Sequence, residues 1–136
     1  MKKLVYAVGT VLLMAFSFDA SEVVVTGTLV DTKCYGMDSN NTGNSHGVPM
    51  ENGEMGEMPN CATACAAMGI PVGVLEGGKS GGKVHIIIAP AGTFAEHMAK
   101  QVRVKGEIVF PGSIMPEKVE VKGDDGWTEV QIVTMM

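Results

Sequence analysis

Two segments follow one design: Val25-Thr26-Gly27-Thr28-Leu29-Val30 and Val104-Lys105-Gly106-Glu107-Ile108-Val109. Each alternates residues two by two, as a strand with one buried face does, and each carries a glycine in mid-strand. A glycine there weakens a flat strand but permits a bulge or a sharp bend, which a small closed sheet needs at its corners. The two segments therefore read as two strands solving one bending problem, not as a sequence repeat. Aromatic residues are few, with four Phe, two Tyr and one Trp, so the core has to be built from Val, Ile, Leu and Met.

Around these segments the chain alternates strand-like runs with Gly-rich breaks. The first strand is expected over Ser21–Asp31, with Val23, Val25, Gly27 and Leu29 on one face. Cys61–Met68 reads as a short Ala-rich helix stopped by Gly69, with Pro71 just beyond. Val72–Glu76 and Val84–Ala89 read as a hairpin across Gly77–Gly82. Thr93 and Glu96 have the spacing of a capping box for a helix to about Lys100. Gln101–Phe110 is the clearest strand, with Val102, Val104, Gly106 and Ile108 inward. A last hairpin turns at Gly123-Asp124-Asp125-Gly126 and returns through Trp127. Residues 36–60 are expected to be a flexible Met/Gly/Glu-rich loop. Five or six short strands are too few for an immunoglobulin sandwich. The expectation is mainly β: a small OB-like Greek-key barrel, with a cysteine-bearing helical insert after the first strand and a helix before the fourth.

Met1 to about Ser17 has the layout of a secretory signal. Lys2 and Lys3 precede an apolar stretch, Leu4–Phe16, that is short for a membrane span, and cleavage is expected between about residues 17 and 21. Residues 21–136 would then form one domain, exported to the periplasm or the exterior. Loss of Lys2 and Lys3 leaves eight basic residues against fifteen acidic ones, a net charge of −7. That balance disfavours nucleic acid and anionic membrane as partners.

The chemistry is carried by three cysteines, Cys34, Cys61 and Cys65. The last two, four apart on a helix, share one face, and Met58 at i−3 from Cys61 extends the stripe. Three thiolates with an imidazole suit Zn(II), whereas thiolates with a thioether suit Cu(I). The candidate metal ligands are thus Cys34, Cys61 and Cys65, with Met58 or His46 as a fourth. A disulfide from Cys34 to Cys61 or Cys65 is the competing reading, since exported cysteines usually oxidise. The odd count would then leave one thiol over. A thiol-redox role is the third reading, though no Cys-x-x-Cys is present. Met50, Met55 and Met58, interleaved with Glu51, Glu54 and Glu57, read either as a soft-metal capture loop or as a solvated loop. Gly73–Ser80 matches a phosphate-loop pattern, but a strand follows it where that loop needs a helix. His85 and His97 are expected at the surface.

The series Val30-Asp31-Thr32-Lys33-Cys34-Tyr35, Cys61-Ala62-Thr63-Ala64-Cys65 and Gly69-Ile70-Pro71-Val72-Gly73-Val74-Leu75 resembles a group of small exported bacterial proteins of uncharacterised function. Their pattern is V-D-x-x-C-Y, then H-x-x-C-A-x-x-C, then G-x-P-V-G-L-L, on an OB-like barrel. The resemblance spans roughly residues 23–110 and implies no assigned activity. Met58 stands where that pattern has histidine, so either Met58 replaces the imidazole or His46 supplies it. The functional expectation is a non-enzymatic extracytoplasmic module binding copper or zinc. The alternative is a metal-free, disulfide-stapled adaptor for another envelope protein.

Overall fold

The computed structural model describes residues 21–133; the expected signal segment lies outside them. The protein is mainly β, with elements in the order β1 (Glu22–Asp31), α1 (Thr32–Met37), β2 (His46–Pro49), β3 (Met55–Met58), α2 (Cys61–Ala67), β4 (Val72–Glu76), β5 (Val84–Ile87), a 3₁₀ helix (Ala91–His97), β6 (Gln101–Phe110), β7 (Ser113–Gly123) and β8 (Gly126–Val130).

Six strands form one sheet in the order β5-β4-β1-β6-β7-β8. Neighbours in that order are antiparallel, and a parallel pairing of β5 with β7 (Ile86 with Ser113, Ile87 with Ile114) curls the sheet into a barrel-like form. The interior is aliphatic, with Leu29, Val72, Val74, Val102, Val104, Ile114 and Val119 packed around Phe94 of the 3₁₀ helix. Burying such side chains contributes about 1.5–3 kcal/mol each before chain entropy is charged against it.

The two mid-strand glycines act as the sequence implies. A Cβ at Gly27 would sit 1.9 Å from the Leu75 carbonyl oxygen, and one at Gly106 would sit 2.1 Å from that of Met115. Strands cross too closely there for any side chain. The pairing of β6 with β7 also slips between Lys105 and Gly106, and again between Glu107 and Phe110. That slip corrects one expectation: Ile108 is turned outward rather than into the core.

Three other expectations are corrected. Residues 36–60 are not all loop, since they hold the end of α1 and the β2–β3 hairpin, a separate two-stranded sheet. Thr93 caps nothing, because it lies inside a 3₁₀ helix that begins at Ala91 without a side-chain cap. His85 is buried, and its Nε2 lies 3.2 Å from Glu76 Oε2. The register of β5 turns His85 and Ile87 inward and leaves Ile86 and Ile88 exposed. Those two side chains, with Met115, Pro116 and Val133, line an open apolar groove of about 750 Å³.

Candidate metal centre

Everything chemical in the insert converges at the end of β1. Asp31 closes that strand and opens α1 as its N-cap, with Oδ1 accepting from the backbone N–H of Lys33 (2.9 Å) and of Cys34 (3.4 Å). This cap fixes where the first turn begins and thereby turns Cys34 inward. Tyr35 anchors the same turn to the β4–β5 loop: its hydroxyl donates to the Gly82 carbonyl (3.2 Å) and accepts from Gly81 N–H (3.0 Å).

Helix α2 has two buried rows. Ala62 and Ala66 pack into the barrel core beside Phe94, while Cys61 and Cys65 form the adjacent row. Its own N-cap, Asn60, is left-handed (φ +55°) and makes no side-chain cap. Asn44 caps it from outside. The Asn44 carbonyl accepts from Ala62 N–H (3.0 Å), and its side-chain oxygen accepts from the N–H (3.0 Å) and hydroxyl (3.1 Å) of Thr63. Since Asn44 precedes His46 by two residues, the helix end that carries Cys61 is fastened to the strand that carries His46.

His46 is 1% exposed. Its Nε2 lies 3.0 Å from the Gly43 carbonyl. A carbonyl only accepts, so Nε2 carries the proton and Nδ1 keeps its lone pair. That Nδ1 is buried and unpartnered, as is Asp31 Oδ2. Burying polar atoms without partners costs about 1–3 kcal/mol each.

Asp31, Cys34, His46 and Cys61 each offer one donor atom, and these four atoms lie within 4.8 Å of one another. The Sγ atoms of Cys34 and Cys61 are 3.9 Å apart and unbonded. A tetrahedral zinc site with Zn–S of about 2.3 Å has an S–S edge of about 3.8 Å, so the thiol pair already has the spacing of two metal ligands. Cys65 joins Cys34 and Cys61 in one buried cluster roofed by Ile70. Burial pushes the Cys34 thiol up to about 12 and the Cys65 thiol up to about 11, with the Asp31 carboxylate and then Cys61 adding to both. Without a cation at the centre, these two sulfurs stay protonated at neutral pH. A cation would reverse that preference, because a coordinated thiol is deprotonated.

Of the residues expected from the sequence, Cys34, His46 and Cys61 fall in the four-donor group, while Cys65 packs against the other two cysteines outside it. Met58 sits on β3 as the partner of His46 across the hairpin, about half-exposed, outside the helix stripe foreseen for it. Asp31 is the residue sequence reasoning missed. Its signal was present as an aspartate three residues before Cys34, where an N-cap with a second free oxygen belongs. The imidazole of the cluster comes from β2, whose His46 pairs across the hairpin with Met58.

Fold and site together define a small β protein with a buried thiol–imidazole–carboxylate cluster. No family model, curated protein or solved structure matches the chain.

Proposed function

We propose that this chain is an exported, non-enzymatic module that holds one thiophilic metal ion at Asp31, Cys34, His46 and Cys61, with Cys65 as an alternative sulfur donor. The observation that carries the reading is the pair of buried, partnerless donor atoms, Asp31 Oδ2 and His46 Nδ1, in the cluster that brings two unbonded thiols 3.9 Å apart. An ion gives all four groups a partner. A carboxylate fourth ligand favours Zn(II); a sulfur fourth ligand favours Cu(I). The donors are at most 7% exposed, which suits holding an ion more than presenting it to a substrate. The amino-terminal signal pattern supports an extracytoplasmic setting.

We read the scaffold as an OB-type barrel. The support is the cyclic order β1-β4-β5-β7-β6, with β5 and β7 parallel and a helical turn between β5 and β6. On that reading the insert carrying the site hangs between the first and second barrel strands. The resemblance to small exported bacterial proteins is part of the same proposal.

The disulfide-stapled adaptor stays as the second reading because Cys34 and Cys61 are near enough to oxidise together. It leaves Asp31 Oδ2 and His46 Nδ1 unpaired, and the metal reading does not. Titration with Co(II) under reducing conditions tests the proposal. Thiolate charge-transfer absorption saturating at one equivalent is expected, and it should be lost in Cys34→Ser. Absence of that absorption in the unmodified protein overturns it.

A further inference from the structure

The four-donor group uses two of the three cysteines. Cys65 is left over, as it would be beside a Cys34–Cys61 disulfide, yet at 7% exposure it is as buried as its neighbours. It packs with Cys34 and Cys61 in one cluster, with Ile70 against them. Burial first, then the Asp31 carboxylate and Cys61, push both the Cys34 and the Cys65 thiol up, so the two sulfurs face the same carboxylate and the same third sulfur. The adjacent buried row of the same helix is alanine, Ala62 and Ala66, so sulfur is confined to the row that meets the cluster.

Two donor sets therefore overlap on one helix. Cys61 and Cys65 lie one turn apart on the same face, about 6 Å of rise. Asn44 fastens the strand of His46 to the amino-terminal end of α2, beside Cys61. Cys65 stands a turn further towards the carboxyl end. The mixed set is Asp31, Cys34, His46 and Cys61; the sulfur set is Cys34, Cys61 and Cys65. The sets share Cys34 and Cys61, whose sulfurs are 3.9 Å apart, so only one of them can be filled at a time. Their chemistry differs. Two thiolates with an imidazole and a carboxylate suit Zn(II), whereas thiolates alone select Cu(I), which gains little from a carboxylate.

The geometry points to an exchange site: a divalent ion occupies the mixed set, and Cu(I) displaces it by taking Cys34, Cys61 and Cys65. This rests on the metal reading above and assigns zinc and copper to different donors. In the exchange, the bonds from the divalent ion to Asp31 and His46 break. The two shared thiolates pass from one ion to the other, and the Cys65 thiol gives its proton to solvent as its bond to Cu(I) forms. No electron changes hands, and the divalent ion leaves hydrated. Cys65 thus determines specificity for Cu(I), and His46 determines it for the divalent ion.

The test starts from the full chain carrying one equivalent of Co(II) under anaerobic, reducing conditions. One equivalent of Cu(I) is expected to bleach the cobalt–thiolate absorption completely. Cys65→Ser should bind Co(II) as tightly as the unmodified protein, which reports its folding. In competition with a chromogenic Cu(I) chelator it should lose Cu(I) affinity by more than about 100-fold, beyond the range for an outer-shell group. His46→Asn should show the reverse, with Co(II) weakened and Cu(I) retained. Cu(I) bound beside Co(II) without bleaching overturns the proposal. So does a Cys65→Ser or Cys65→Ala protein whose Cu(I) affinity is unchanged, or whose two affinities fall together. The two readings fail separately. Co(II) uptake with Cys65 silent towards Cu(I) sinks the exchange alone. No Co(II) uptake, with Cu(I) bound through Cys65, sinks the mixed set.

Discussion

At the scale of single residues, Asp31 has two duties that substitution can separate. As N-cap it holds α1 through Oδ1; as a cluster member it has a second, unpartnered oxygen, Oδ2, to spare. Asparagine caps as well as aspartate but lacks the charge. Asp31→Asn should therefore leave the melting temperature of the metal-free protein nearly unchanged and weaken Co(II) binding by more than the roughly 10–100-fold that loss of an outer-shell group costs, because a charged ligand is replaced by a neutral one. Asp31→Ala should add a stability loss of about 1 kcal/mol from the missing cap, measurable by urea denaturation. The cysteines give a pH signature. Cys34 and Cys65 titrate near 12 and 11 in the folded, metal-free chain against an ordinary value of 9.0. Between those values the unfolded chain has lost protons that the folded chain keeps. Stability from the buried neutral thiols is thus complete below pH 9 and falls as pH rises towards 12, a decline that denaturation curves at stepped pH should show. Cys34→Ala/Cys65→Ala should flatten it.

At the scale of elements, the cluster depends on α1, the β2–β3 hairpin and α2 being tied together, and Asn44 is the tie between the last two. Asn44→Ala removes a cap supplied from another segment. It should cost about 1 kcal/mol in thermal unfolding and lower metal affinity by loosening His46 against Cys61. The helix Cys61–Ala67 was legible because its cysteines and alanines recur every four residues and Gly69 ends it. The hairpin was not: Gly47 and Gly56 interrupt its four-residue strands, β3 has no buried residue, and the one fully buried side chain of β2 is the polar His46. His85 misled for the opposite reason. Its apolar neighbours Ile86 and Ile88 looked like the core face, whereas they line a surface groove. The sulfur ligands were legible because cysteine is scarce in this chain; Asp31 was hidden because aspartate before a helix already has an ordinary explanation as a cap.

At the scale of the whole molecule, the barrel-like sheet is a rigid frame whose bends are set by Gly27 and Gly106, and β1 delivers Asp31 and Cys34 from it. Gly27→Ala would drive a Cβ into the Leu75 carbonyl and should destabilise the protein by about 3 kcal/mol, visible as an earlier unfolding midpoint. Metal affinity of whatever fraction stays folded should fall less than in Asp31→Asn, since the bend lies at the far end of the contacts that build the cluster. Order in the sheet and order in the insert are thereby separable, with the ion acting on the second. The most direct measurement is native mass spectrometry of the protein purified without chelators, followed by chelation and thiol alkylation. One bound ion, lost on chelation to leave three alkylatable cysteines, is the expected result. A metal-free mass with a Cys34–Cys61 disulfide and a single alkylatable thiol would contradict the account.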